Sequence, residues 1–165
     1  PGRRLAVDGI WSTDELIDSL AKTTSVLDGL LVGVDEEPAH ARPSDGDWSA
    51  VETVGHLIDA EERAVVRIAQ VTREDDPELA GYDADALVRA HGYQEQPLNT
   101  VVNRFLALRA ERIAALQALS PGQWHRTAVF MGRGATPLTA ITVHMVWHDA
   151  NHLAQIAQAL AVARG

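Results

Sequence analysis

Apolar residues recur along most of this chain at intervals of three and four, the spacing that places them on one face of an α-helix. Leu16, Leu20, Leu27, Leu31 and Val34 mark a first helix over residues 12–34. It is opened by Ser12 and Glu15 as an S-x-x-E capping box. Val51, Val54, Ile58, Val65 and Ile68 mark a second over 49–72, with Ser49 and Glu52 as another box. Val101, Val102, Phe105, Leu108, Ile113 and Leu116 mark a third over 98–119. The fourth, over 137–163, carries Leu138, Met145, Leu153, Ile156 and Leu160 and starts behind a cap residue and a first-turn proline, Thr136-Pro137. Strand character is confined to residues 127–131. The expectation is an all-α, four-helix-bundle domain over residues 1–165. The connection 73–97 is too long for a bundle turn. It is expected to carry a short helix at 83–90 and to cover a site at one end of the bundle.

Composition narrows the function. The chain has 165 residues, 46% hydrophobic and 22% charged, enough for one core. Fourteen Lys+Arg against 23 Asp+Glu leave a formal charge of −9, which repels phosphate backbones and anionic membranes. No apolar run reaches the roughly 20 residues that span a bilayer. Nucleic acid and membrane are therefore not expected as partners. The start, Pro1-Gly2-Arg3-Arg4, lacks the apolar stretch of a signal peptide, so the expected address is cytoplasmic. There is no Cys, which removes thiolate nucleophiles and Cys-bound metals together. Seven His stand out against this background.

His144, His148 and His152 follow one another at intervals of four on the fourth helix, with Gln155 on the same flank. An i, i+4 pair brings two imidazoles onto one face one turn apart, close enough to chelate one ion. The same ridge also reads as a polar helix seam, and spacing leaves both readings open. His148-Asp149-Ala150-Asn151-His152 imitates a zincin helix, but Asp is a methylene shorter than the general-base Glu. No acid or His follows His152, so a third ligand has to come from upstream. His40, His91 and His125 read as solvated loop residues. On the helical wheel His56 falls beside Glu52, Asp59 and Arg63, away from the apolar stripe, and periodicity assigns it to the surface.

Two local sequences change that assignment. Trp48-Ser49-Ala50-Val51-Glu52-Thr53-Val54-Gly55-His56-Leu57-Ile58-Asp59-Ala60-Glu61 resembles the second-helix signature of the DinB/YfiT-like superfamily. Gly132-Arg133-Gly134-Ala135-Thr136-Pro137-Leu138, leading into His144-Met145-Val146-Trp147-His148-Asp149-Ala150-Asn151-His152, resembles its fourth-helix signature. Helix order, loop sizes and length match as well. The resemblance implies a four-helix bundle holding a divalent metal on three His, which carry over to His56, His148 and His152. His144 then lies a turn away, lining the pocket or supporting a ligand. Asp59, Glu62 and Asp149 become candidate acceptors that orient a ligating imidazole, against the plain reading of solvated charges. Arg133 and Trp147 are candidate pocket residues.

A three-imidazole set leaves a coordination position open and suits Zn or Ni first, with Co or Fe admitted by the same ligands. Such an ion lowers the pKa of a bound water or thiol and makes the anion available near neutral pH. Relatives with assigned activity use low-molecular-weight thiols. The resemblance thus implies a metal-dependent thiol S-transferase, or a hydrolase, acting on small electrophiles in stress response and detoxification. Any thiol has to arrive as an external cosubstrate. The alternative is a non-catalytic, metal-stapled module that binds a small ligand or a protein partner. Pairing into a homodimer through a bundle face is compatible with the sequence, which singles out no face.

Overall fold

The computed structural model describes residues 6–7 and 11–163. In chain order the helices are α1 (Thr13–Leu31), α2 (Glu36–His40), α3 (Ala50–Arg73), α4 (Ala84–His91), α5 (Leu98–Gln117), α6 (Pro121–Trp124) and α7 (Leu138–Ala163). The strands are β1 (Ala6–Val7), β2 (Trp11–Ser12), β3 (Glu78–Leu79), β4 (Thr127–Phe130) and β5 (Ala135–Pro137). The four long helices stand where the apolar spacing places them, and both capping boxes form around Ser12 and Ser49. The short helix of the long connection is α4, N-capped by Asp83.

Differences from expectation have local causes. α1 ends at Leu31 rather than Val34, because Val32 leaves helical backbone and Gly33 turns with φ 71°. Thr136 does not cap α7: it lies in β5, pairing with Ala128 of β4, and Leu138 N–H instead donates to the Arg126 carbonyl at 2.9 Å. The strand character near 127–131 becomes the middle of a three-stranded sheet, β3-β4-β5, in which β3 joins β4 in parallel.

The topology explains the long connection. α5 and α7 each pack against both α1 and α3, so α1 and α3 face one another across the diagonal. One apolar cluster joins the end of α1 (Leu27, Leu31), the start of α3 (Val51, Val54, Ile58), the start of α5 (Leu98, Val101, Phe105) and the end of α7 (Leu153, Ile156, Leu160). The other joins Leu20, Ile68, Val71, Leu116, Leu138 and Ile141 at the opposite ends of the same helices. Hence α1 and α7 run one way and α3 and α5 the other. Since α3 and α5 are parallel, the chain between them has to travel back the length of the bundle. It therefore runs along α3 through β3, α4 and a 3₁₀ turn at Tyr93–Glu95, instead of capping one end.

Between the two apolar clusters lies a layer of charge. Arg109 donates to Glu61 at 2.8 Å and to Asp149 at 2.7 Å, and Arg112 donates to the same Glu61 oxygen at 2.8 Å. Arg109 also donates to Thr23 Oγ1 at 2.9 Å and to the Leu20 carbonyl at 3.0 Å. All four charged side chains are buried, and two guanidiniums balance two carboxylates. The layer ties α1, α3, α5 and α7 together at one level.

Candidate metal centre

His56 reaches the interior because α3 is enclosed on every side over its first half: each residue from Ala50 to Glu61 is buried. A wheel with one apolar face assumes one packed side. Here α5, α7, α2, α4 and the 3₁₀ turn all press on α3, and His56 is only 4% exposed. The surface assignment from periodicity is therefore wrong. His56 Nε2 lies 3.0 Å from His148 Nε2, and one nitrogen from each of His56, His148 and His152 falls within 4.8 Å of the others. Nitrogens bound at 2.0–2.1 Å to a single tetrahedral ion stand about 3.3 Å apart, so the donors fit a common ion.

The tautomers agree with that role. His152 Nδ1 lies 2.9 Å from Gln155 Oε1, which can only accept; the proton is on Nδ1 and the Nε2 lone pair is free. His148 Nδ1 faces Asp149 Oδ1 at 3.7 Å, beyond hydrogen-bond distance, and neither atom has a hydrogen-bond partner. Burial, with His152 and His148 beside it, pushes His56 down to about 3. Burial and then His148 lower His152 as well. Both are thus neutral near pH 7, the state in which an imidazole binds metal.

Aromatic rings wall the cluster. Trp48, just ahead of the α3 cap, stands 4.9 Å from His56 and 6.2 Å from His152 between ring centroids. Tyr82, on the returning connection, stands 6.2 Å from His56. A cavity of about 190 Å³ opens beside His148, lined by His144, Tyr82, Phe130, Met145 and Arg67 among others. His144 is therefore a pocket-lining residue, its ring edge-on to Phe130 at 5.3 Å. Burial, His148 and Arg133 lower its pKa.

The remaining sequence candidates fall elsewhere. Glu62 pairs with Arg104 on the outer surface and touches no ligand. Trp147 is 62% exposed, leaning on His144 from outside, and Arg133 sits exposed in the β4–β5 turn; neither lines the cavity. Asp59 is buried but turned away from the cluster, accepting from Tyr93 Oη–H at 2.7 Å and from His91 Nδ1 at 2.8 Å. Asp149 alone of the three acids faces a candidate ligand. Burial would raise its carboxyl, but His148, Arg109 and Arg112 outweigh that and hold it below the usual range.

Two histidines read as solvated loop residues instead end short helices and are engaged. His91, the last residue of α4, meets Asp59 at 2.8 Å, and His40, the last of α2, wedges between the carbonyls of Glu36 at 2.7 Å and Gln96 at 3.0 Å. His125 is exposed, as read. Gly55, preceding His56, has a packing reason: a Cβ there would come within 2.2 Å of the Tyr93 ring.

Comparison with known proteins agrees with this fold. The model of the DinB superfamily matches residues 19–156. A Geobacillus thermodenitrificans protein named "Putative metal-dependent hydrolase" is 23% identical over 143 residues, covering 86% of this chain and 80% of that one. A Geobacillus kaustophilus protein of the same description is 26% identical over 144 residues, covering 87% and 81%. Among solved structures, YfiT from Bacillus subtilis, described as "a probable metal-dependent hydrolase with an unusual four-helix bundle topology", superposes with a TM-score of 0.81 at 19% identity, over 96% of this chain and 90% of that one. A mycothiol-dependent maleylpyruvate isomerase superposes with a TM-score of 0.69 at 14% identity, over 94% of this chain and 63% of that one. Among the described residues, no helix is long and apolar enough to cross a membrane.

Proposed function

The chain belongs to the DinB superfamily, and from that premise we propose that it is a metal-dependent enzyme that transfers a small nucleophile to an electrophilic substrate. His56, His148 and His152 hold one divalent ion, with Zn or Ni expected first although the same ligands admit Co or Fe. The ion, when bound, supplies the Lewis acidity that makes a thiol or a water nucleophilic near neutral pH. Gln155 fixes the His152 tautomer, and Asp149 faces the Nδ1 side of His148. Trp48 and Tyr82 shield the imidazoles, and the cavity beside His148 receives the substrate.

The observation that carries this reading is the convergence of three half-buried or buried imidazoles from two helices, one of which, His148, also lines a cavity. A metal serving only as a staple has no use for such a space. The chain has no thiol of its own, so thiol transfer requires an external low-molecular-weight thiol. The mycothiol-dependent isomerase among its structural neighbours supports that choice, and the names of its sequence relatives support the hydrolytic variant.

The test starts with elemental analysis of untagged protein. One equivalent of a transition metal per chain is expected, and His56→Ala, His148→Ala and His152→Ala should each lose it. Holo-protein is then assayed with bacillithiol, mycothiol and glutathione against a chloro-bimane, and without thiol against an ester panel. Metal-dependent conjugation supports the transferase and metal-dependent hydrolysis the hydrolase. Full metal occupancy with turnover in neither assay would leave the non-catalytic module standing.

A further inference from the structure

The metal cavity contains one permanent charge without a counter-charge. Arg67, half-buried on α3, lines it together with His144, His148, Tyr82, Phe130 and Met145. No Asp or Glu lines that cavity. The two fully buried arginines each have a carboxylate, Arg109 with Glu61 and Asp149 and Arg112 with Glu61, and half-buried Arg126 has Asp75. Arg67 has none within ion-pair distance among the described residues. It donates to the Ala80 carbonyl and stands 5.8 Å from the Phe130 ring centroid.

A guanidinium offers five N–H donors and keeps its charge in any protein. Half-buried and without a carboxylate, that of Arg67 has donors left to pair with an anion that enters the cavity. Burial lowers the Arg67 pKa, and Arg63 one turn earlier lowers it further, although Tyr82 opposes them. Arg63 itself is engaged over the Tyr82 ring at 4.2 Å. The bond to Ala80 anchors the Arg67 side chain against the returning connection, so its charge is placed before a ligand arrives. A larger space of about 580 Å³ also touches Arg67, together with Arg63, but the three carboxylates of Asp59, Glu62 and Glu78 line it and outnumber the two arginines.

We propose that Arg67 is the anion subsite of the metal cavity, and that the molecule bound there carries a carboxylate opposite the end presented to His56, His148 and His152. The proposal rests on those three residues as metal ligands, and it adds a substrate class: small carboxylates rather than neutral or cationic molecules.

The test uses the full chain loaded with cobalt(II), titrated with three thiols of equal reach: mercaptopropionate, mercaptopropionamide and aminopropanethiol. Binding is read from the thiolate-to-cobalt absorption. One charge-assisted hydrogen bond predicts a preference for the carboxylate over the amide of about 10-fold or more, with the amine weakest. In Arg67→Gln that preference should shrink to within about threefold, and Arg67→Lys should keep part of it. A wild-type protein that binds all three thiols alike overturns the proposal, as does a preference that survives intact in Arg67→Gln. If Arg67→Gln does not fold, the order of the three thiols on the wild-type protein still decides. Failure of the metal reading shows earlier and separately: the chain would take up no cobalt before any thiol is added, or His56→Ala would take it up equally well.

Discussion

Replacing Asp149 by Asn tests the charge layer with the least change of shape. Asp149 is 2% exposed, and its Oδ2 accepts from Arg109 at 2.7 Å and from Thr23 at 3.4 Å. Two carboxylates balance two guanidiniums in the layer, so Asp149→Asn leaves one buried positive charge uncompensated. Breaking a buried pair in this way costs about 3–5 kcal/mol. For a chain of this size each kcal/mol moves Tm by about 2–4 °C, so a fall of about 6–20 °C is expected. Denaturant unfolding of the apo-protein with chelator present isolates this effect from any loss of metal. The companion variant is Arg109→Met with Asp149→Leu, which removes one charge of each sign and leaves Glu61 paired with Arg112. It should be more stable than either single change, because burying matched apolar groups in place of an ion pair is near neutral. A loss below about 1 kcal/mol in Asp149→Asn would refute the reasoning, as would a double variant whose loss equals the sum of the two singles.

Gln155→Leu removes the acceptor that holds the His152 tautomer, and metal affinity should fall about 10- to 100-fold in competition with a chromophoric chelator; unchanged affinity would sink that role. Gly55→Ala forces a Cβ into the Tyr93 ring at 2.2 Å, and overpacking of this kind costs about 1–3 kcal/mol by urea unfolding. The same change should be harmless in a Tyr93→Ala background, and a loss that persists there would point to another cause. The apo-protein should also weaken in mild acid. His56 is held at about 3 in the fold against an ordinary 6.5, so the unfolded chain takes up a proton that the folded one refuses. Stability is full above about pH 6.5 and is lost as pH falls from there toward about 3, at up to about 1.4 kcal/mol per unit. Denaturation midpoints that stay flat between about pH 7 and about pH 5 would contradict it.

The four long helices were legible because their apolar spacing is regular and both capping boxes sit where the chain enters a helix. The ligand set was legible only through local resemblance, since the wheel put His56 on the surface. Helical periodicity reports burial against one neighbour, and the first half of α3 has neighbours all round. The partners of Asp59 were out of reach for a different reason. His91 and Tyr93 lie more than 30 residues away, on a connection whose path depends on α3 and α5 being parallel, and nothing in the spacing of either helix reveals direction. Trp147, a candidate pocket residue in the sequence, is exposed because adjacent helical residues point about 100° apart, so it does not share the direction of His148.

The charge layer did leave a signal in the sequence, one that apolar counting passes over. On α1 the stripe Leu16, Leu20, Leu27, Leu31 has a gap filled at helical spacing by Thr23. On α3 the gap between Ile58 and Val65 holds Glu61; on α5 Arg109 and Arg112 stand between Phe105 and Leu116; on α7 Asp149 stands between Met145 and Leu153. Each gap alone looks like an interruption of a core face, yet their charges sum to zero and their positions coincide in the fold. The coincidence bears on the metal centre. Apolar stripes tolerate axial sliding of one helix past another, whereas guanidinium–carboxylate contacts near 2.8 Å do not. Glu61 lies five residues beyond His56 on α3, and Asp149 follows His148 directly on α7. Arg109 joins that Glu61 to that Asp149, so the bond network that closes the middle of the core also sets the register at which His56 meets His148 and His152.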